Sequence, residues 1–253
     1  MNSKTFLVVG LLVFLFGACK KDSSTLPDIE TAKAYLPLQI GSEWIYQTDS
    51  LIFSKTINST KIDTSSYLIR YVMVDTFTNS AGELVFITDR YEKKTTDNNW
   101  NIKAVSGSFF SQNRFLITEG NNTFIKFSLP VAKGQRWDAL ALTNKEQTIE
   151  VGGEQIEIFK GWESRTVFAD KEFDNGIQTY PECFKVELAD VESLVELRNG
   201  YEVYAKNTGL VYSELRILDT QCGGNPAACD GIPWEQKAEK GFIVKQSLIS
   251  YKK

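Results

Sequence analysis

The sequence has no histidine among its 253 residues. Without an imidazole, Ser-His-Asp and Cys-His catalysis are excluded in their usual forms, as is zinc held by histidine. No stretch of twelve or more residues keeps a helical apolar period, so long amphipathic helices are not expected. Short helical turns are predicted only at 29–34 and 234–240. After the N-terminal leader no apolar run approaches 18 residues, so nothing else would cross a bilayer as a helix. No glycine-rich loop follows a strand and opens a helix. The glycines between Cys222 and Gly231 lack the lysine and helix that a phosphate loop needs. Charge is nearly balanced, 28 basic residues against 32 acidic, which gives no electrostatic footprint for nucleic acid.

What the chain does contain begins with its leader. Residues 1–18 read as an export signal peptide, with Lys4, an apolar run over 6–16, and then Gly17-Ala18 before Cys19. The apolar run is about eleven residues, short of the ~20 that a spanning helix requires. Leu15-Phe16-Gly17-Ala18-Cys19 resembles the lipobox of bacterial lipoproteins, with Phe16 where an aliphatic residue is usual. The resemblance implies that Cys19 becomes the acylated first residue, carrying several palmitate-type chains, because one chain alone holds only marginally. The membrane is then a partner through the N-terminal lipid. The expected location is the outer membrane, on its periplasmic side or at the cell surface. Lys20-Lys21-Asp22 partly matches the surface-export signals of Bacteroidota lipoproteins. Residues 19–34 are expected to be the lipidated cysteine and a flexible tether.

Loss of the leader removes Lys4 alone among charged residues, leaving about 235 residues with 27 basic against 32 acidic. Residues 35–253 suit a single β-rich domain. Its opening, Pro37-Leu38, Gly41, Trp44 and Tyr46, resembles that of Bacteroidota lipoproteins to which no activity is attached. Pro130, Gly134 and Trp137 echo the spacing and suggest two related halves with a break near 129–137.

Cys222 and Cys229 bracket a flexible turn-forming segment, and in an oxidising compartment they are expected to form a local disulfide. The rival is a metal site combining both thiols with Asp219 or Asp230. Their spacing is wider than the two-to-four residue gap of zinc sites, so no metal is expected. Cys183 reads as a buried strand thiol.

Alternating polar and apolar residues, punctuated by turn signals, predict an all-β fold. About ten antiparallel strands in a meander would form a curved sheet, half-barrel, barrel or sandwich. The run 66–77 reads as a strand buried on both faces. Gly152-Gly153, Asp174-Asn175-Gly176 and Asn199-Gly200 read as hairpin turns, the last two as type I′. Strand candidates between the earlier turns include 100–105, 109–118 and 123–129.

Chemistry by carboxylates alone remains open to such a chain, since a glycosidase needs only two acids across a cleft. No pair stands out from the acids that alternate along solvated strand faces, and this hydrolase reading is the least supported. Asp170 to Gly176 is oxygen-rich, but its glycine falls a place late for a calcium loop and Pro181 stands where the closing glutamate belongs. Asp49-Ser50-Leu51 resembles an O-glycosylation acceptor triplet of Bacteroidota, and otherwise reads as a strand end. The favoured function is a non-catalytic, lipid-anchored envelope domain whose concave face, lined by Trp and Tyr, binds an apolar ligand or glycan. The alternative is a structural or interaction lipoprotein, an accessory subunit of an envelope complex. No cofactor is expected.

Overall fold

The structure is a computed structural model describing residues 29–57 and 59–253. The leader, Cys19 and residues 20–28 lie outside them. A helical turn, α1 (Ile29–Lys33), precedes six strands: β1 (Glu43–Lys55), β2 (Thr60–Thr78), β3 (Leu84–Lys94), β4 (Asn101–Ser111), β5 (Arg114–Glu119) and β6 (Asn122–Ser128). Then come the short β7 (Arg136–Trp137) and a small hairpin, β8 (Thr148–Val151) and β9 (Glu154–Glu157). The second group is β10 (Ser164–Asp174), β11 (Thr179–Glu192), β12 (Glu196–Ala205), β13 (Gly209–Asp219) and β14 (Lys240–Lys252), with α2 (Trp234–Lys237) before the last strand.

Twelve strands form one antiparallel sheet in the order β6-β5-β4-β3-β2-β1-β14-β13-β12-β11-β10-β7. The first and last long strands pair at its centre, and each half meanders outward from that seam. Right-handed twist curls the sheet until its two ends meet. There Ile125 N–H donates to the Ala139 carbonyl at 3.0 Å, and the Trp137 indole donates to the Ile125 carbonyl at 2.9 Å. The result is a nearly closed barrel, which decides between the barrel and sandwich expectations.

Both ends are covered from within the chain. The β8–β9 hairpin crosses one end, packed so tightly that a side chain on Gly152 would strike Ser54. Positive φ at both Gly152 and Gly153 makes this turn as the sequence predicts. At the other end Ala32, Tyr35 and Leu36 bury against Phe127, Phe184 and Tyr204. Residues 29–34, assigned from sequence to the tether, are thus part of the folded body, and the Ala34 carbonyl accepts from Asn207 N–H.

Several local expectations are corrected. Asn199-Gly200 is not a turn: β12 runs straight through it, and the chain reverses instead between Glu192 and Glu196. Gly200 is small because Leu215 lies over it, with its Cδ1 only 2.8 Å from where a Cβ would sit. The expected strand 109–118 is two strands, reversed at Gln112, which takes φ +53°. In β2, Ile69 and Met73 are buried, but Val74 and Phe77 are 40% and 50% exposed, so its convex face is not covered. The turn after Asp174 has positive φ at Gly176 but not at Asn175, so it is not type I′. Asn175 instead reaches between β13 and β14, where their pairing has ended. Its Nδ2 donates to the carbonyls of Val211 and Leu248 at 3.1 and 3.0 Å.

Candidate functional site

Paired residues on antiparallel strands share a face, so the register locates the concave wall. Trp44 and Tyr46 pair with Tyr71 and Ile69; Met73 and Tyr71 pair with Thr88 and Arg90. Thr88 pairs with Ser106, and Ser106 and Ser108 with Glu119 and Ile117. In the other half Gln246 pairs with Ser213, and Ser213 with Glu202. Contributed by both halves of the sheet, all of these except Ile69, Met73 and Arg90 line one cavity of about 310 Å³. Leu36, Pro37 and Leu38 close over it. The side chains of Lys126 and Glu119 are 19% and 43% exposed, so solvent reaches the cavity beside β5 and β6.

One wall is aromatic: Trp44, Tyr46, Phe115, Phe124 and Tyr204. The polar tips of three of these are already engaged. The Trp44 indole donates to the Thr208 carbonyl at 2.6 Å, Tyr46 hydroxyl to the Leu210 carbonyl at 2.7 Å, and Tyr204 hydroxyl to Glu202 Oε2 at 2.6 Å. Trp44 also stacks one face on Tyr251, and Tyr204 one face on Phe184.

The other wall is polar. Lys126 on β6 pairs with Glu202 on β12, clasping the two halves across the cavity. Arg90, which does not itself line the cavity, pairs with Glu92 and, at 3.3 Å, with the lining residue Glu119. Among the described residues, the side chains of Tyr71, Ser108, Ser213 and Gln246 have no hydrogen-bond partner, although all four line the cavity. Ser108 is only 7% exposed. Burial pushes the Tyr71 hydroxyl up to about 12, against a lowering by Arg90, and it holds Tyr46 and Tyr204 well above the ordinary tyrosine value. All three are neutral hydroxyls near neutral pH.

The residues singled out from sequence lie elsewhere. Cys19 is outside the described residues. Cys222 and Cys229 form the expected disulfide, with Cα atoms 5.7 Å apart. It sits in the 220–239 segment, whose Trp234 and Ala238 bury Phe53, Leu197, Leu218 and Ile243. Asp219 pairs with Arg198, not with the thiols. No three His, Cys, Asp or Glu residues among those described come together to hold a metal ion. Cys183 is buried, its thiol pushed up to about 11 by burial. In the candidate calcium stretch, Asp170 accepts from the Tyr35 hydroxyl and Asp174 from Gly176 N–H. Ser50 is buried in the middle of β1, not at a strand end, and so is closed to a glycosyltransferase. Of the tryptophans, Trp44 alone lines the cavity.

Ser108, Ser213 and Gln246 were not candidates from sequence. Small polar residues alternating along a strand read as a solvated face, and only closure of the sheet turns that face inward.

No family model and no curated protein matches the chain. Two solved structures are similar. One is a "putative lipoprotein" of Parabacteroides distasonis ATCC 8503, with a TM-score of 0.45 and 13% identity over 86% of this chain and 98% of that one. The other is a "putative exported protein with YmcC-like fold" of Bacteroides fragilis NCTC 9343, with a TM-score of 0.42 and 13% identity over 85% and 97%. At these scores the likeness bears on neither function nor site, and the fold described above rests on this chain's own strand pairing.

Proposed function

We propose that the protein is a non-catalytic, lipid-anchored envelope protein that binds a small amphipathic ligand inside its curled sheet. The observation that carries this reading is the cavity of about 310 Å³, walled by aromatic side chains and by neutral polar groups that no other side chain or backbone group engages. Its size falls at the lower end of the ~300–1,000 Å³ usual for ligand sites. Such hydroxyls and amides can both donate and accept, so a ligand can use them without breaking a bond within the fold. The carboxylates that reach the cavity are tied to cations, Glu119 to Arg90 and Glu202 to Lys126, which favours recognition over acid-base chemistry. The lipobox at Cys19 supports anchoring in the cell envelope.

Titration with N-phenyl-1-naphthylamine, an uncharged fluorescent probe, tests the reading on the chain from Lys20 to Lys253, which keeps every described element. Saturable enhancement that is lost in Ser108→Trp, with the fold intact by circular dichroism, is the expected result. No saturable binding, or equal binding by the cavity-filling variant, refutes it and leaves an interaction protein acting through its outer surface.

A further inference from the structure

We infer that the occupant of this cavity is an uncharged molecule bearing a hydroxyl-rich, sugar-like ring, and that carboxylate- or phosphate-headed amphiphiles are rejected. The inference rests on the ligand-binding reading above and adds the chemical class. The first argument is electrostatic. The charged groups that line the cavity are Glu119, Glu202 and Lys126, one negative charge in excess, and the Arg90–Glu92 pair beside Glu119 adds no net charge. Neither cation is free: Arg90 is shared by two carboxylates, and Lys126 is held by Glu202. An incoming anion would have to take Lys126 from Glu202, leaving a carboxylate that is 8% exposed without its cation.

The second argument is the unmet hydrogen bonding. Tyr71, Ser108 and Ser213 present hydroxyls and Gln246 a primary amide, each able both to donate and to accept. Four neutral, two-way groups match the hydroxyls of a sugar ring, which also donate and accept. A fatty acyl chain would use none of the four, and a site that hydrogen-bonds a ligand hydroxyl discriminates against an analogue without one. Trp44 and Phe124 line the void and supply apolar ring surface for the apolar side of a pyranose or for an aryl substituent on it. The volume suits one ring and its substituent better than an extended chain.

Calorimetry on the chain from Lys20 to Lys253 tests this with matched probes: phenyl β-D-glucoside, β-D-galactoside and β-D-N-acetylglucosaminide against phenyl β-D-glucuronide. The glucuronide differs from the glucoside by one carboxylate. At least one neutral glycoside is expected to bind, with the glucuronide weaker by at least about tenfold, the scale that like-charge juxtaposition imposes. Glu119→Gln should narrow that gap, and Ser108→Val should weaken the glycoside about tenfold while sparing N-phenyl-1-naphthylamine. Equal or tighter binding of the glucuronide overturns the charge argument. If the naphthylamine binds and no glycoside does, the sugar assignment falls while the cavity reading stands. If nothing binds, both fall.

Discussion

Arg198 ties the crossover hairpin to the barrel wall, and its removal should cost more than any surface charge. Its side chain is 2% exposed. Nη1 donates to Asp219 Oδ1 at 2.6 Å and to the carbonyls of Leu197 and Leu218 at 3.0 and 3.1 Å, while Nε donates to the Glu157 carbonyl at 3.1 Å. Arg198→Met keeps much of the aliphatic stem and removes the charge and all four bonds. Breaking a buried pair from one side costs ~3–5 kcal/mol, because the remaining charge is stranded. Asp219 is 17% exposed and can recover some hydration, so the lower end, about 3 kcal/mol, applies. For a chain of this size that is a fall in Tm of about 6–12 °C, which calorimetry resolves. Arg198→Met/Asp219→Asn should regain about 1 kcal/mol, since no charge is then left unpaired. A single variant within about 2 °C of wild type would refute the claim that Arg198 anchors the hairpin.

Asn175→Ala removes the two bonds that bridge the split between β13 and β14 and leaves two carbonyls unpaired. A loss of about 2 kcal/mol is expected in urea unfolding, and a loss below about 0.5 kcal/mol would show that water replaces the amide freely. Gly241→Ala should prevent accumulation of folded protein. Its φ is +122°, and an added Cβ would lie 2.0 Å from the Ile217 carbonyl oxygen, so soluble protein with wild-type Tm would contradict the β13–β14 approach. Alkaline stability should follow the buried tyrosines. Burial raises Tyr71, Tyr180 and Tyr201 to about 12, so their contribution is complete below the unfolded tyrosine value of about 10 and is lost as pH rises through 12. Urea midpoints that stay flat from pH 9 to 12 would count against that burial.

The strand content was legible because alternation and turn signals agree over most of the chain. Gly152-Gly153 makes its turn because two consecutive glycines accept positive φ at little cost. Asn199-Gly200 misleads for an opposite reason: Gly200 answers to the bulk of Leu215 across the sheet, a contact that local sequence does not encode. Gln112 hides a turn behind a residue type that seldom takes positive φ. The cavity was the least legible feature. Its aromatic wall could be anticipated as a concave face of Tyr and Trp, but its polar wall could not. Ser108 on β4 and Gln246 on β14 carry the same signature as solvent-facing residues, and they share a void only because β6 and β7 meet after a full turn of the sheet.

The most direct test of the account is where a ligand lands. Backbone amide shifts, recorded by NMR while N-phenyl-1-naphthylamine is titrated into the chain from Lys20 to Lys253, report that location residue by residue. Saturable shifts gathered at Tyr71, Ser108, Ser213 and Gln246, contributed by both halves of the sheet, are the predicted result. Shifts confined to the convex face, around Ile102 and Val105, or no saturable shifts at all, would contradict a binding site inside the barrel.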